Sequence, residues 1–192
     1  MRRQRSDRTH IEQRASQVLT EAGVTKVPVN LERVAEYLGV SVHVQALEHK
    51  VSGVLMVKGG ERHALVNALH PSSRQRFSLA HELGHLVLHD SAKDRLFVDT
   101  NMRLYQRVGA AGNESYASAE STTTPNEERE ANRFASALLM PADLVSTESA
   151  DLDLSDETAV ATLARRFEVS EQAMSIRLQQ LNVLSPISIE DV

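Results

Sequence analysis

Residues 77–90 read FSLAHELGHLVLHD. The run is apolar enough for a buried helix, yet it carries His81, Glu82 and His85. His81 and His85 are four residues apart, which places them on one helical face, one turn from each other. Two neutral imidazoles so placed can reach a single metal ion, and zinc suits them. Glu82 is rotated about 100° from His81. In such a site it does not bind the metal but takes a proton from the attacking water and later passes it to the leaving amine. The plain alternative is a core helix with a few polar residues. Leaving each buried polar group unsatisfied costs about 1–3 kcal/mol, so partners for these three are expected.

A third ligand has to come from elsewhere. His89 lies one turn beyond His85, but in a straight helix its Cα is about 12 Å from that of His81, too far to share a tetrahedral ion with both. The metzincin pattern needs a glycine and a further histidine where this chain has Leu88 and Ser91. A carboxylate from a second helix remains. Thr124-Pro125-Asn126-Glu127 has the pattern of a helix start, and the helix continues through EEREANRFASALLM to Pro141. Of its acids, Glu128 shares a face with Asn132 and Ala135. Glu128 can therefore ligate while Asn132 hydrogen-bonds a ligand histidine. Glu130 is rotated about 200° from Glu128 and is expected to point away. Glu127 and Glu130 stay open as alternatives, because acids in a first turn also suit the helix dipole with no metal present.

Around this pair of helices the chain reads as α+β. Residues 9–22 and 31–38 have helical apolar spacing, the second helix capped by Asn30. VSVHVQAL alternates as a strand, with Val40, Val42, Val44 and Ala46 on one side, and VSGVLMVKGGERHALVNAL reads as a hairpin. Gly53 inside the hairpin marks a bulge or a close backbone approach. Ser72 and Gln75 have capping-box spacing at the start of the histidine-bearing helix. Gly84, between the histidines, leaves room for a neighbouring strand or answers a packing need. Residues 100–124 are rich in Gly, Ala, Ser and Thr and read as a mobile loop within a long 91–126 connection that is placed to gate the site. Helices over 156–167 and 171–183 follow.

The 192 residues carry a net charge of −5 and no cysteine, which excludes disulfides and thiolate metal sites. No apolar run approaches a membrane span, and the arginine-rich N-terminus lacks the apolar stretch of a secretory signal. A cytoplasmic protein is the expectation. Residues 142–192 carry ten acids against three arginines. The turn at Val169-Ser170 between two helices looks superficially like a helix-turn-helix, but its second helix offers only Arg177, so docking or packing is favoured over nucleic-acid binding.

RFSLAHELGHLVLH followed by EREANRFASALLMP resembles the ImmA/IrrE family of zinc metallopeptidases. VPVNLERVAEYLGVSVHV, the hairpin ending ALVNA and LARRFEVSEQAMSIRLQQLNVL also match its pattern, so the likeness spans most of residues 10–184. The resemblance implies a minimal thermolysin-like zincin fold, with a small twisted sheet, two active-site helices and a C-terminal helical pair. A metallopeptidase domain over 1–145 would carry a helical subdomain over 146–192. It implies Zn2+ held by His81, His85 and Glu128, with Glu82 as the base. It also implies a substrate, a helix-turn-helix repressor encoded nearby, in some cases as part of a toxin–antitoxin-like pair. A non-catalytic zinc-containing protein that sequesters a regulator is the competing expectation, with direct DNA regulation a third. For extended substrate, the strand over 62–68 is a candidate pairing partner. Candidate oxyanion donors are His63, His70 and Tyr105.

Overall fold

The structure, a computed structural model, describes residues 2–89, 95–100, 123–154 and 156–183. The element order is α1 (Arg2–Glu21), α2 (Leu31–Tyr37), β1 (Ser41–Gln45), β2 (Val51–Lys58), β3 (Glu61–Asn67), α3 (Ser72–Leu88), β4 (Arg95–Thr100), α4 (Pro125–Leu139), α5 (Ala142–Ser149), α6 (Glu157–Phe167) and α7 (Glu171–Gln180). The class is α+β.

The strands form one four-stranded sheet in the order β1-β3-β2-β4. β2 and β3 pair antiparallel through the Lys58↔Glu61 end, as the hairpin pattern requires. β1 joins β3 in parallel, Val42 facing Ala64 and Val44 facing Val66. These residues, with Leu55 and Val57 of β2, make the face that α3 covers. Val44 sits at the edge of that face and is 60% exposed despite its place in the apolar alternation. β3 lies inside the sheet with both edges taken, so residues 62–68 cannot add an extended substrate. β4 is a strand that the sequence reading did not place: Arg95–Thr100 pairs antiparallel with β2, with a register shift between Val51 and Gly53. The remainder of the 100–124 loop reading, residues 101–122, lies outside the described residues.

Asn67 closes β3 by stapling the β1–β2 connection. Its amide donates to the carbonyls of Val51 (2.8 Å) and Glu48 (3.1 Å), and its Oδ1 accepts from the backbone N–H of Leu47 and Leu69. Caps follow the sequence in α2 and α4. Asn30 accepts from the N–H of Arg33, and Thr124 and Glu127 form a complete capping box. The expectation for α3 was wrong. Pro71 holds the N-cap position with no side-chain bond, Ser72 is already helical, and Gln75 turns back to donate to the His70 carbonyl at 2.7 Å. Pro141 likewise opens α5, a helix that the reading of Pro141 as a stop passed over; Val145 and Ser149 are its buried residues.

One apolar cluster unites the elements, running from Val18 and Leu19 of α1 through Leu83 and Phe134 to Phe167, Met174 and Leu178 of the last two helices. Arg177 of α7 is in its midst, 1% exposed. Its Nε donates to the Met140 carbonyl at 2.8 Å, and its two terminal nitrogens grip both oxygens of Glu12 on α1 at 2.6 and 2.9 Å. The one basic residue of α7 is thus enclosed, with no guanidinium face left for a phosphate backbone. Among the described residues, no helix is long and apolar enough to cross a membrane.

Removing the carboxylate strands a buried guanidinium, whereas removing both charges does not. Glu12→Ala is expected to cost about 3 kcal/mol in denaturant unfolding, and adding Arg177→Met should recover part of that loss. A single-variant loss below about 1 kcal/mol, the level of an exposed ion pair, would show that the pair does not tie α1 to α7.

Candidate metal centre

α3 presents His81 and His85 one turn apart near its C-terminal end, both buried at 1% exposure. α4 lies across it and contributes Glu128. The two Nε2 atoms are 3.0 Å apart. Glu128 Oε2 is 3.3 Å from His81 Nε2, and Glu128 Oε1 is 3.3 Å from His85 Nε2. Three ligand atoms from two helices therefore converge on one point, two of the residues buried and the third half-buried.

The three acids of α4 are sorted by their partners. Glu127 folds back on the cap, its Oε2 accepting from the Thr124 N–H at 2.6 Å. Glu130 turns to His89, Oε2 to Nε2 at 3.1 Å, and its Oε1 accepts from Asn126 at 2.6 Å. Of the three, Glu128 is the one placed against His81 and His85. Asn132, one turn after Glu128, places Oδ1 at 2.9 Å from His81 Nδ1. A carboxamide oxygen only accepts, so His81 carries its proton on Nδ1 and turns the Nε2 lone pair inward.

Electrostatics follow from burial. The His85 pKa is lowered chiefly because burial disfavours the imidazolium, with contact to Glu128 pulling the other way. For Glu128, burial alone would raise the carboxyl, but its close contacts with His81 and His85 outweigh it and hold the group well below the ordinary carboxylate range. Both shifts favour the forms a metal ion needs, neutral imidazole and carboxylate.

Glu82 is fully buried beneath the sheet. It lies against Gly53 of β2, where a Cβ would stand 2.7 Å from Glu82 Oε1. The glycine is thus a close-approach position as well as lying beside the strand irregularity. Gly84 has a different neighbour from the strand considered for it. A Cβ there would meet the Ala131 carbonyl oxygen and the Phe134 ring, each at 3.1 Å, so it is α4 that crosses here.

The two oxyanion candidates among the described residues do not gather at this centre. His70 precedes α3, whose first residue, Ser72, is already about 13 Å from His81 along the helix axis at 1.5 Å per residue. His63 faces away from α3 and stacks on His43, ring centroids 5.4 Å apart. Tyr105 lies outside the described residues. What the sequence reading missed is the His89–Glu130 contact. The signal was present in the His85–His89 spacing, which repeats that of His81–His85.

Taken together, an α+β domain with a His-Glu-x-x-His helix crossed by a glutamate-bearing helix defines a candidate metal-dependent hydrolase. The family model for the IrrE N-terminal-like domain, a peptidase family, matches residues 35–179, and the chain belongs to that family. Among curated proteins none matches significantly.

Two outcomes test this geometry. Gly→Ala inside a helix ordinarily gains about 1 kcal/mol, but Gly84→Ala should lose about 1–3 kcal/mol by forcing α3 from α4, read as a lower thermal midpoint; a rise would show that the crossing has slack. In the metal-free chain, folded His85 and Glu128 bind fewer protons than when unfolded. Stability should therefore fall as pH drops below 6.5 and again through 4.5. Replacing His85 with Asn should flatten the upper part of that fall in urea unfolding curves, and an unchanged curve would count against the shift.

Proposed function

We propose that this chain is a zinc-dependent endopeptidase that regulates transcription by cutting a partner helix-turn-helix repressor at a specific bond. The observation that carries the reading is the convergence of His81 Nε2, His85 Nε2 and the Glu128 carboxylate, 3.0–3.3 Å from one another. Zinc–ligand bonds of about 2.0–2.1 Å set neighbouring ligand atoms of a tetrahedron about 3.3–3.4 Å apart. The donor set of two imidazoles and one carboxylate fits zinc, and three protein ligands leave a position open, as catalytic sites do.

Zinc, when bound, supplies a Lewis acid that polarises a carbonyl and brings the pKa of water towards about 7. The chain's own residues supply the rest. His81 and His85, with neutral rings, and Glu128 would hold the ion, and Asn132 fixes the His81 ring in its productive tautomer. Glu82 receives the proton of the attacking water and returns it to the leaving amine. Its buried seat against Gly53 keeps the carboxylate in one place during that exchange.

The repressor as substrate rests on the resemblance of the paired helix motifs to the ImmA/IrrE metallopeptidases and on the family to which the chain belongs. The competing function is a zinc-containing binding protein that sequesters a regulator without cutting it, and one pair of variants separates the two. Wild-type chain should hold about one zinc, and Glu128→Ala should lose it. Glu82→Gln should keep zinc while cleavage of the repressor encoded nearby falls about 10²–10⁴-fold. If Glu82→Gln still relieves repression in cells, the binding-protein reading replaces proteolysis. If wild-type chain takes up no zinc on reconstitution, the metal reading fails.

A further inference from the structure

On the far side of His85, away from Glu128, stands a second imidazole. His89 Nδ1 is 3.1 Å from His85 Nδ1, with the rings tilted by 50°. His89 Nε2 is in turn 3.1 Å from Glu130 Oε2. Glu130 is held by Asn126, whose amide donates to Oε1 at 2.6 Å. His89 is the C-cap residue of α3, 9% exposed, and its N–H donates to the His85 carbonyl. The row therefore runs from ligand to ring to carboxylate to amide, with each member fixed by the next.

With a cation at the centre to take the two Nε2 lone pairs, proton counting along this row has one self-consistent solution with neutral rings. A carboxylate only accepts, so His89 must carry its proton on Nε2 and give it to Glu130. His89 Nδ1 is then a lone pair, and a nitrogen 3.1 Å away must donate to it. That donor is His85 Nδ1, which leaves His85 Nε2 as a lone pair directed at Glu128 and His81. The opposite assignment would set a bare His89 nitrogen against the Glu130 carboxylate.

Building on the metal reading above, we propose that His89, backed by Glu130, is a positioning residue that sets the tautomer and ring angle of the metal ligand His85. The two ligand histidines are then oriented by different devices: an amide oxygen for His81, and an imidazole carrying a carboxylate for His85. A carboxylate acting through a ring raises the basicity of the ligand more than an amide does, so His85 is the stronger donor of the pair. Glu130 thereby acquires a function that its rotation away from Glu128 does not suggest.

The test uses the full chain and zinc alone. In His89→Phe the ring volume stays but no acceptor faces His85 Nδ1. In His89→Asn the side-chain oxygen stands where Nδ1 stood and can accept as Asn132 does for His81. Zinc affinity, read by chelator competition, should fall about 10–100-fold in His89→Phe and be recovered in part in His89→Asn, whose amide accepts without a carboxylate behind it. Circular dichroism of the metal-free variants establishes that both are folded. In the zinc-loaded wild type, nitrogen-15 spectra should show His85 protonated on Nδ1 and His89 on Nε2. Equal affinity in wild type and His89→Phe would overturn this inference while leaving the metal site standing. So would a His89 protonated on Nδ1, or an Asn variant as weak as the Phe variant. A wild-type chain that binds no zinc would overturn the metal reading and this inference together.

Discussion

Everything at the centre depends on how closely α3 and α4 approach each other. The ligands come from different helices and their side chains are short, so the two backbones must nearly touch. The sequence arranges this in the same way on both sides. On α3 the order is His81, two residues, Gly84, His85; on α4 it is Glu128, two residues, Ala131, Asn132. Each helix places a small residue three positions after one polar group and immediately before the next. At the crossing Gly84 meets the backbone of Ala131, where a Cβ would already be 3.1 Å from the carbonyl oxygen and 3.2 Å from Cα. The small residues make the contact, and the polar residues around them are brought face to face.

The same crossing explains how so polar a centre can be buried. His81, Glu82 and His85 are at most 1% exposed inside a predominantly apolar core. A buried imidazole without partners would cost a substantial part of the stability of a domain this size. Here the rear nitrogen of each ligand histidine faces a polar group, Asn132 behind His81 and His89 behind His85. The front nitrogens face each other and Glu128. The helix pair thus places a polar group behind each ring, which orients the ring and satisfies its rear nitrogen.

How much of this was legible in the sequence depended on whether a feature is local. The histidine spacing, the capping box at Thr124 and the hairpin between β2 and β3 are each written within a few residues, and each appears where the pattern placed it. The features that failed are set by distant partners. RLFVDT at 95–100 becomes a strand because β2 offers it an edge, and its neighbours in sequence give no sign of that. β1 takes its place beside β3 through a parallel pairing that no turn specifies. That placement encloses β3, which the sequence alone left open to a substrate. Gly84 and Gly53 could be recognised as close-approach positions, but the atoms that approach them, from Ala131 and Glu82, belong to other elements. Prolines misled in one consistent way: Pro71 and Pro141 each hold a helix N-cap position, one where a serine cap was expected and one where only a stop was seen.

The axial position of α4 is the last requirement. A shift of one residue along a helix moves a side chain by about 1.5 Å and turns it by 100°, enough to carry Glu128 off the histidines. The N-terminal end of α4 is held by the Thr124–Glu127 capping box, one residue before Glu128. The C-terminal end is held by Arg177, whose Nε takes the carbonyl of Met140, the residue capping α4. Arg177 is itself anchored to Glu12 on α1, and α1 packs along α4. A buried guanidinium is an expensive way to fill a core, and a hydrophobic residue of similar volume would generally be at least as stabilising. An apolar side chain cannot seize a carbonyl at one chosen height, and a fork of fixed geometry can. The C-terminal helices therefore bear on the metal centre although α7 contributes none of its ligands: they set where α4 stops, and so where Glu128 stands.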